Sequence, residues 1–444
     1  MTDEQRTDSL GCYGSAWAHT PHLDRLAAEG AVFRNAVTPS PVCMPARTSL
    51  LFAKYPSQTG VWYNDTAEHP PSGSLMQRFR DAGYGTASFG KQHYVCAEPA
   101  FEVEGGNCLS PHVEYFDYHE RYDESDWGVV KYPGEARRWI FAGRFPADHC
   151  ETTEHEAVDL GLEWLERRDP ARPFFLRVSF NGPHTPVVPP APFDEIIPAE
   201  AIRLPEACDA PPEGQPSWLA EHLSKTSSSA LLSAEEIRKM RRCYYGEVAF
   251  LDDEFGRLLD RIKQRGLLKN TIVVYLSDHG THLGDYGLVQ KQTFYNPVVN
   301  VPYIFRYPPK VARGVTIQTP VETQTLLPTL LELAGLDAPG AGCSASIADV
   351  LASGGEPQVR PVFSELTLES QRPYVQHEGR LVMVRDGDWK LSLCLDPEVH
   401  DAALYNLTED PDEILNLSDD ASCAGQRERL IALIRKHISA AESG

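Results

Sequence analysis

Residues Thr271-Ile-Val-Val-Tyr-Leu-Ser277 form an unbroken apolar run of strand length that stops at Asp278-His279-Gly280. A strand with one face in water alternates apolar and polar side chains. A continuous run belongs to a strand covered on both faces, as in parallel sheets wrapped in helices. Gly85-Thr-Ala-Ser-Phe-Gly90 reads likewise as a buried strand ending in Lys91-Gln-His93, and Pro173 to Phe180 as a strand that breaks at Gly182-Pro183-His184. Val301-Pro-Tyr-Ile-Phe-Arg306 is one more strand, preceded by Lys291. Amphipathic helices alternate with these strands: Thr20-Pro21 to Gly30, Ser74 to Ala82, Thr153 to Arg168, Ala234 to Gly266, and Leu326 to Ala334, the last stopped by Gly335. Such alternation calls for an open α/β sheet, large, mixed and mostly parallel, with helices on both faces.

From residue 358 the pattern changes. Val362-Phe-Ser-Glu, Arg380 to Leu393 and Leu404-Tyr-Asn-Leu read as antiparallel strands, with Asp386-Gly387 as a hairpin turn and a closing helix from Cys423 to Ala441. The chain thus divides into a catalytic-size α/β domain, 1–357, and a smaller antiparallel α+β subdomain, 358–444. Residues 96–150 lack a clear period, and 186–216 form a proline-rich loop.

The formal net charge of -22 argues against a nucleic-acid partner, which needs Lys/Arg neutralisation. An anionic substrate must then enter a local positive pocket. The ten cysteines are scattered without a Cys-x-x-Cys pair, which argues against a zinc site and a disulfide framework and suits a reducing compartment. No signal peptide or 18-residue apolar run is visible, so the chain as written reads as cytoplasmic with no membrane span. It reads as periplasmic or secreted if its true start lies upstream. Oligomeric state stays open between monomer and homo-oligomer.

Ligands of open α/β sheets bind beyond the carboxyl ends of the strands. Lys91, His93, His184, Asp278 and His279 all fall there, with Lys291 just downstream. A second signal is Cys43-x-Pro45-x-Arg47. Pro45 suits the first turn of a helix, so Cys43 sits just ahead of a helix N-terminus that favours negative charge. Arg47, four residues on, shares its face.

Cys43-x-Pro45-x-Arg47 resembles the signature of the formylglycine-dependent (type I) sulfatases of the alkaline-phosphatase-like superfamily. The other blocks follow in the family's order: Thr2-Asp-Glu-Gln-Arg, Leu10-Gly-Cys-Tyr-Gly, Thr20-Pro-x-Leu-Asp-Arg-Leu-Ala, Gly90-Lys-x-His93, Pro183-His-x-Pro186, Leu251-Asp-Asp, Ser277-Asp-His-Gly and Leu404-Tyr-Asn-Leu-x-x-Asp-Pro. The resemblance implies an alkaline-phosphatase-like fold and hydrolysis of a sulfated small molecule or saccharide. It implies that a formylglycine-generating enzyme converts Cys43 to formylglycine (3-oxoalanine), the nucleophile as its hydrate. Asp3, Glu4, Asp278 and His279 are then metal ligands, and such hard donors favour Ca²⁺ or Mg²⁺ over zinc. Arg47 and Lys91 hold the nucleophile and sulfate oxygens, His93 takes a proton from the second hydroxyl, and His184 and Lys291 contact sulfate and protonate the leaving oxygen.

The resemblance also implies an apolar strand directly before position 3, yet the chain starts at Met1. The expectation is either an upstream start or a sheet with an unfilled slot. Phe52-Ala-Lys-Tyr-Pro stands in place of the family's usual Thr-Gly-Arg-Tyr-Pro. Three alternatives stay open. One is a phosphonate monoester or phosphodiester hydrolase on the same scaffold, disfavoured by the Lys91/His93 pair; the second is an inactive homologue; the third is a thiol-based hydrolase using Cys43 unmodified. Asn64 is a candidate polar contact or a turn residue. Tyr118 and Trp127, in an aromatic and acidic segment, are candidates for stacking on substrate or for packing the loop onto the sheet.

Overall fold

The computed structural model describes residues 1–64, 69–106, 129–131, 140–205, 212, 214–222, 232–337, 344–367, 379–395 and 401–442. Its core is built from two sheets. In the first, the strand Gly85–Gly90 lies between Val103–Gly105 and Phe174–Ser179, all parallel. The second runs Val315–Ile317, Ala31–Phe33, Tyr303–Arg306, Val273–Leu276; its first pair is parallel and the other two are antiparallel. The sheet system is therefore mixed, and the described ladder partner of Val273–Leu276 is antiparallel rather than the parallel neighbour its apolar run suggests. What that run reports is burial on both faces, not strand direction.

Residues 1–3 stitch the two sheets together. The Met1 amine donates to the Val178 carbonyl at 2.9 Å, and the Met1 carbonyl accepts from Phe180 N–H at 2.9 Å. Thr2 N–H donates to Leu276 O at 3.0 Å, and Asp3 N–H to Gly182 O at 3.2 Å. Thr2 also makes a parallel bridge with Ser277. Among the described residues, only these lie between Phe174–Ser179 and Val273–Leu276, at the carboxyl end of the gap. Behind them lies a cavity of about 620 Å³ lined by Leu176, Val178, Phe255, Leu258, Val274 and Leu330.

Local chemistry sets the helix ends. The side chains of Ser74 and Thr152 accept from Gln77 N–H and His155 N–H, and Ser233 forms a reciprocal capping box with Glu236. Gly335 closes Leu326–Ala334 at φ 72°, a left-handed position glycine takes without strain. The long helix Ala234–Gln264 buries one face, including Tyr244, Tyr245 and Phe250. Its Asp252 carboxylate accepts from His22 and Leu23 N–H at 3.0 and 2.7 Å, fixing the first turn of Pro21–Ala28.

Two local expectations need correction. Val301–Arg306 is not one strand. Pro302 lacks an N–H for a ladder, and the chain splits there: Asn300–Val301 pairs with Ala36–Val37, and Tyr303–Arg306 joins the main sheet. The segment after Gly90 is not extended, because His93 adopts φ 45°.

At the C-terminus a separate antiparallel sheet runs Val362–Thr367, Arg380–Asp386, Trp389–Cys394, Ala402–Asn406. Gly387 at φ 62° makes its tight turn. Helix Ala424–Glu442 covers the sheet through Leu430 and Ile434. Among the described residues no helix is long and apolar enough to cross a membrane.

The gap beside the cavity has a measurable consequence. In a parallel pair, successive amides point to opposite sides. The bonds to Met1 and Thr2 show that even-numbered residues of both flanking strands face the gap. The amides of Leu176, Val178 and Val274 should exchange with deuterium faster than those of Phe175 and Arg177, which face Gly85–Gly90. Equal protection would show that another segment closes the gap in solution.

Candidate active site

Val42 is extended (φ -141°, ψ 138°), and Cys43 is the first residue of the helix Cys43–Phe52. The side chain at 43 therefore leaves the chain where helix amides carry partial positive charge. Met44 N–H donates to Asn64 Oδ1 at 3.0 Å, so Asn64 holds this helix start and its carbonyl oxygen is committed to the backbone. Ala53 ends the helix at φ 50°, which accounts physically for the glycine usual there in the family signature.

Around Cys43 the strand ends converge. Its Sγ lies 2.9 Å from Lys291 Nζ, 3.2 Å from His279 Nε2 and 3.7 Å from Asp3 Oδ1. Arg47, buried below Cys43, donates from Nε to Asp278 Oδ2 at 2.6 Å and from Nη2 to Asp3 Oδ2 at 2.9 Å. Its Nη1 reaches Ser179 Oγ at 2.9 Å. Lys91 pairs with the same Asp3 oxygen. Glu4 Oε1 takes Lys291 at 2.6 Å and His184 Nε2 at 3.2 Å. Asp278 Oδ1 accepts the Glu4 and His279 amides at 3.2 and 2.8 Å, and Thr38 donates its hydroxyl to the Asp278 carbonyl. Asp3, Arg47, Lys91, Asp278 and His279 are all buried.

Burial and Asp3 push the Cys43 thiol up, but Lys291, Lys91 and His279 outweigh them and hold it well below the ordinary thiol range. Burial likewise opposes ionisation of Asp3 and Glu4. Lys91 and Arg47 nevertheless keep Asp3 well below its usual value, and His184 and Lys291 hold Glu4 at about 2. Burial works to lower Lys291, yet Cys43 and Glu4 push it up. The histidines divide. Burial, with Lys91 and Arg47, depresses His93 to about 3. Burial depresses His184 to about 4 against the pull of Glu4. Asp278 overrides burial at His279 and holds it at about 9. Lys291 and Arg47 are thus fixed cations, while His93 and His184 are neutral at neutral pH.

The donor set fits a divalent ion. Asp3, Asp278, His279 and the side chain at 43 each bring one donor atom, all within 4.8 Å of one another and all buried. His279 Nδ1 donates to the Gly280 carbonyl at 2.9 Å, which leaves Nε2 turned to the site as a donor to metal. Two carboxylates and one imidazole are donors a divalent ion accepts. The four-residue set expected from sequence does not assemble as one. Glu4, at φ 62°, falls in a second group with Asp3 and His184, its carboxylate turned to Lys291 and His184.

The structure thus gathers Cys43, Arg47, Lys91, His184, Lys291, Asp3, Glu4, Asp278 and His279. His93 stands beside them, within reach of the Lys91 and Arg47 charges, its Nδ1 buried without a hydrogen-bond partner among the described residues. Tyr118 and Trp127 lie outside the described residues. Three supporting residues escaped the sequence reading. Ser179 accepts from Arg47, Thr38 braces Asp278, and Tyr244 holds the Asp3–Arg6 turn by donating to Glu4 O at 2.7 Å and accepting Arg6 N–H at 2.9 Å. Ser179 does end a strand, the same signal that marked the others; Tyr244 has no local signal, since its partner is 240 positions away.

Residues 1–336 match the family model described as sulfatase, and residues 284–440 match that of the C-terminal region of N-sulphoglucosamine sulphohydrolase. A choline-sulfatase of Rhizobium meliloti is 30% identical over 420 residues, covering 90% of this chain and 78% of the relative. A sulfatase of Formosa agariphila is 28% identical over 435 residues, covering 94% and 82%. Among solved structures, one in complex with its substrate D-glucosamine-2-N,6-O-disulfate superposes with TM-score 0.81 at 22% identity, over 100% of this chain and 97% of that one. The phosphonate monoester hydrolase of Agrobacterium radiobacter gives 0.82 at 22% identity, over 98% and 94%; at these identities the likeness speaks to fold. With family models spanning both parts of the chain and the signature residues gathered at one buried site, the chain belongs to the sulfatase family of the alkaline-phosphatase-like superfamily.

Proposed function

We propose that the chain hydrolyses a sulfate monoester at position 43, releasing inorganic sulfate and an alcohol. The observation that carries this reading is the convergence of Lys291, Lys91 and His279 on one side chain at a helix N-terminus, with Arg47, His93 and His184 gathered around the same carboxylates. A sulfate ester repels nucleophiles through its own charge, and its leaving oxygen needs a proton or a cation. Fixed positive groups aimed at the site meet the first demand and proton donors the second.

Oxidation of Cys43 to formylglycine by a maturation enzyme would supply a hydrated aldehyde, one hydroxyl of which would attack sulfur and displace the alcohol, while deprotonation of the other would restore the carbonyl and release sulfate. Asp3, Asp278 and His279 would hold a divalent ion, Ca²⁺ or Mg²⁺, whose positive charge would favour the ionised form of the attacking hydroxyl. The chain's own groups do the rest. Lys91 and Arg47 fix Asp3 and Asp278 so that these carboxylates keep one geometry. Lys291 Nζ, pinned by Glu4, donates to the sulfate oxygens and the leaving oxygen. His93, neutral and with an unpartnered Nδ1, accepts the proton of the second hydroxyl. His184, neutral in the free site with Nδ1 donating to the Thr185 carbonyl, takes up a proton on Nε2 when anionic substrate adds its charge and then donates it toward the sulfate. The substrate alcohol is a sugar, choline or an aryl group; relatives include a choline-sulfatase and an N-acetylglucosamine-6-O-sulfatase.

Rates on an aryl sulfate and on an aryl phosphonate monoester test the reading. The sulfate should turn over faster, and a faster phosphonate rate would move the chain to the alternative class. Lys291→Ala should cost about 10²–10³ in kcat, and His93→Asn about 10²–10⁴; wild-type rates in both would remove those roles. Chelation should abolish turnover and added Ca²⁺ or Mg²⁺ restore it.

The charge balance at position 43 is testable in unconverted, chelator-treated protein. A thiol held below its ordinary range ionises at lower pH than a free thiol, and removing a cation must raise it. The ultraviolet thiolate signal, taken as a difference against Cys43→Ala, should appear at lower pH than an ordinary thiol. In Lys291→Met its onset should move to higher pH. An unmoved onset would contradict the cationic pocket.

A further inference from the structure

A second cluster of metal-ligating side chains lies outside the Cys43 site, where the turn His149–Glu151 leads into helix Thr153–Arg167 and packs beside Ala234–Gln264. His149, Cys150 and His155 each offer a ligand atom, all within 4.8 Å of one another. Cys150 Sγ is 3.5 Å from His149 Nε2, and the two imidazoles meet edge to face with centroids 5.4 Å apart.

Both rings are oriented from behind by carboxylates. His155 Nδ1 is 2.7 Å from Glu254 Oε1. Glu254 is itself buried, at 1% side-chain exposure, and Arg257 clamps its other oxygen at 2.7 and 2.9 Å. His149 Nδ1 is 3.2 Å from Asp148 Oδ1. A carboxylate on one ring nitrogen fixes the proton there and leaves the other nitrogen as a lone-pair donor, the arrangement that supports metal-bound histidines. His155 Nε2 is 3.5 Å from Asp159 Oδ2, an oxygen available for a fourth position.

We propose that His149, Cys150 and His155 bind a Zn²⁺ ion, with Asp159 or water completing the shell. Two imidazoles and a thiolate are donors for Zn²⁺, not for Ca²⁺ or Mg²⁺. Metal–ligand distances of about 2.0–2.3 Å require the donor atoms to close up by roughly 1 Å, a movement open to His149 and the exposed Cys150 while His155 stays fixed by Glu254. The ion displaces the Cys150 proton to solvent, and no other bond changes. Its consequence is mechanical. Glu154, the residue just before His155 in the same helix, accepts the Asn181 and Gly182 amides at 3.2 and 3.1 Å, and those residues lead directly to His184. Zinc at this junction pins the helix start that supports the His184 loop.

The test uses the full chain carrying Cys43→Ser, so that position 43 offers no thiolate. After chelation and dialysis, Zn²⁺ competition with a chromogenic chelator should show one tight equivalent. Cys150→Ser and His155→Gln should each lose at least tenfold in affinity, and Glu254→Gln about 10–100-fold. In protein that keeps Cys150, Zn²⁺ should slow its alkylation; in His155→Gln, whose thiol is intact, that protection should vanish. Unchanged affinity in both ligand variants, or alkylation of Cys150 indifferent to zinc, would overturn the proposal.

Discussion

The Arg47 guanidinium, sealed from water, bridges Asp3 and Asp278 and so ties together the N-terminus, the helix behind position 43 and the end of the strand Val273–Leu276. Taking three such charges out of water is expensive, and their attraction repays the cost only when geometry and hydrogen bonding are complete. Here they are nearly so. Asp3 also takes Lys91, Asp278 also takes two backbone amides, and Arg47 also reaches Ser179. Losing one partner strands the others, at about 3–5 kcal/mol for a buried pair. The arrangement is better understood as positioning than as stabilisation. It holds carboxylates and cations of opposite roles at fixed separations in a medium where charge is felt strongly.

That lattice explains how a chain of net charge -22 serves an anionic substrate. The negative surface gives solubility and discourages polyanions, while Lys291, Lys91 and Arg47 set a positive floor under one side chain. Paired carboxylates around the cations leave the pocket ready for a divalent ion and a sulfate together. The C-terminal sheet is joined directly to this part of the fold, since Glu365 N–H donates to the Pro39 carbonyl just ahead of Cys43 at 2.8 Å.

Much of this was legible in the chain. Helix N-termini are local events, so Pro45 and the i, i+4 relation of Cys43 and Arg47 could be read directly. The strand-end rule found Lys91, His184, Asp278 and His279 because a buried apolar run ends where polar side chains reappear. What stayed hidden depends on long-range contacts or on single dihedrals. Left-handed φ at Glu4 and His93 redirects a carboxylate and an imidazole that extended backbone would place otherwise. Asn64 serves Met44 twenty positions earlier, and the histidine–cysteine cluster acquires its meaning from Glu254, 99 residues downstream of His155. Strand direction was also illegible, because burial on both faces imposes the same composition on either kind of neighbour.

The proposed hydrolysis requires an aldehyde at position 43. Mass spectrometry of the peptide carrying residue 43, taken from active protein produced together with a formylglycine-generating enzyme, measures this directly. The account predicts the aldehyde mass in proportion to specific activity across preparations of different conversion. An intact thiol in fully active protein would contradict it.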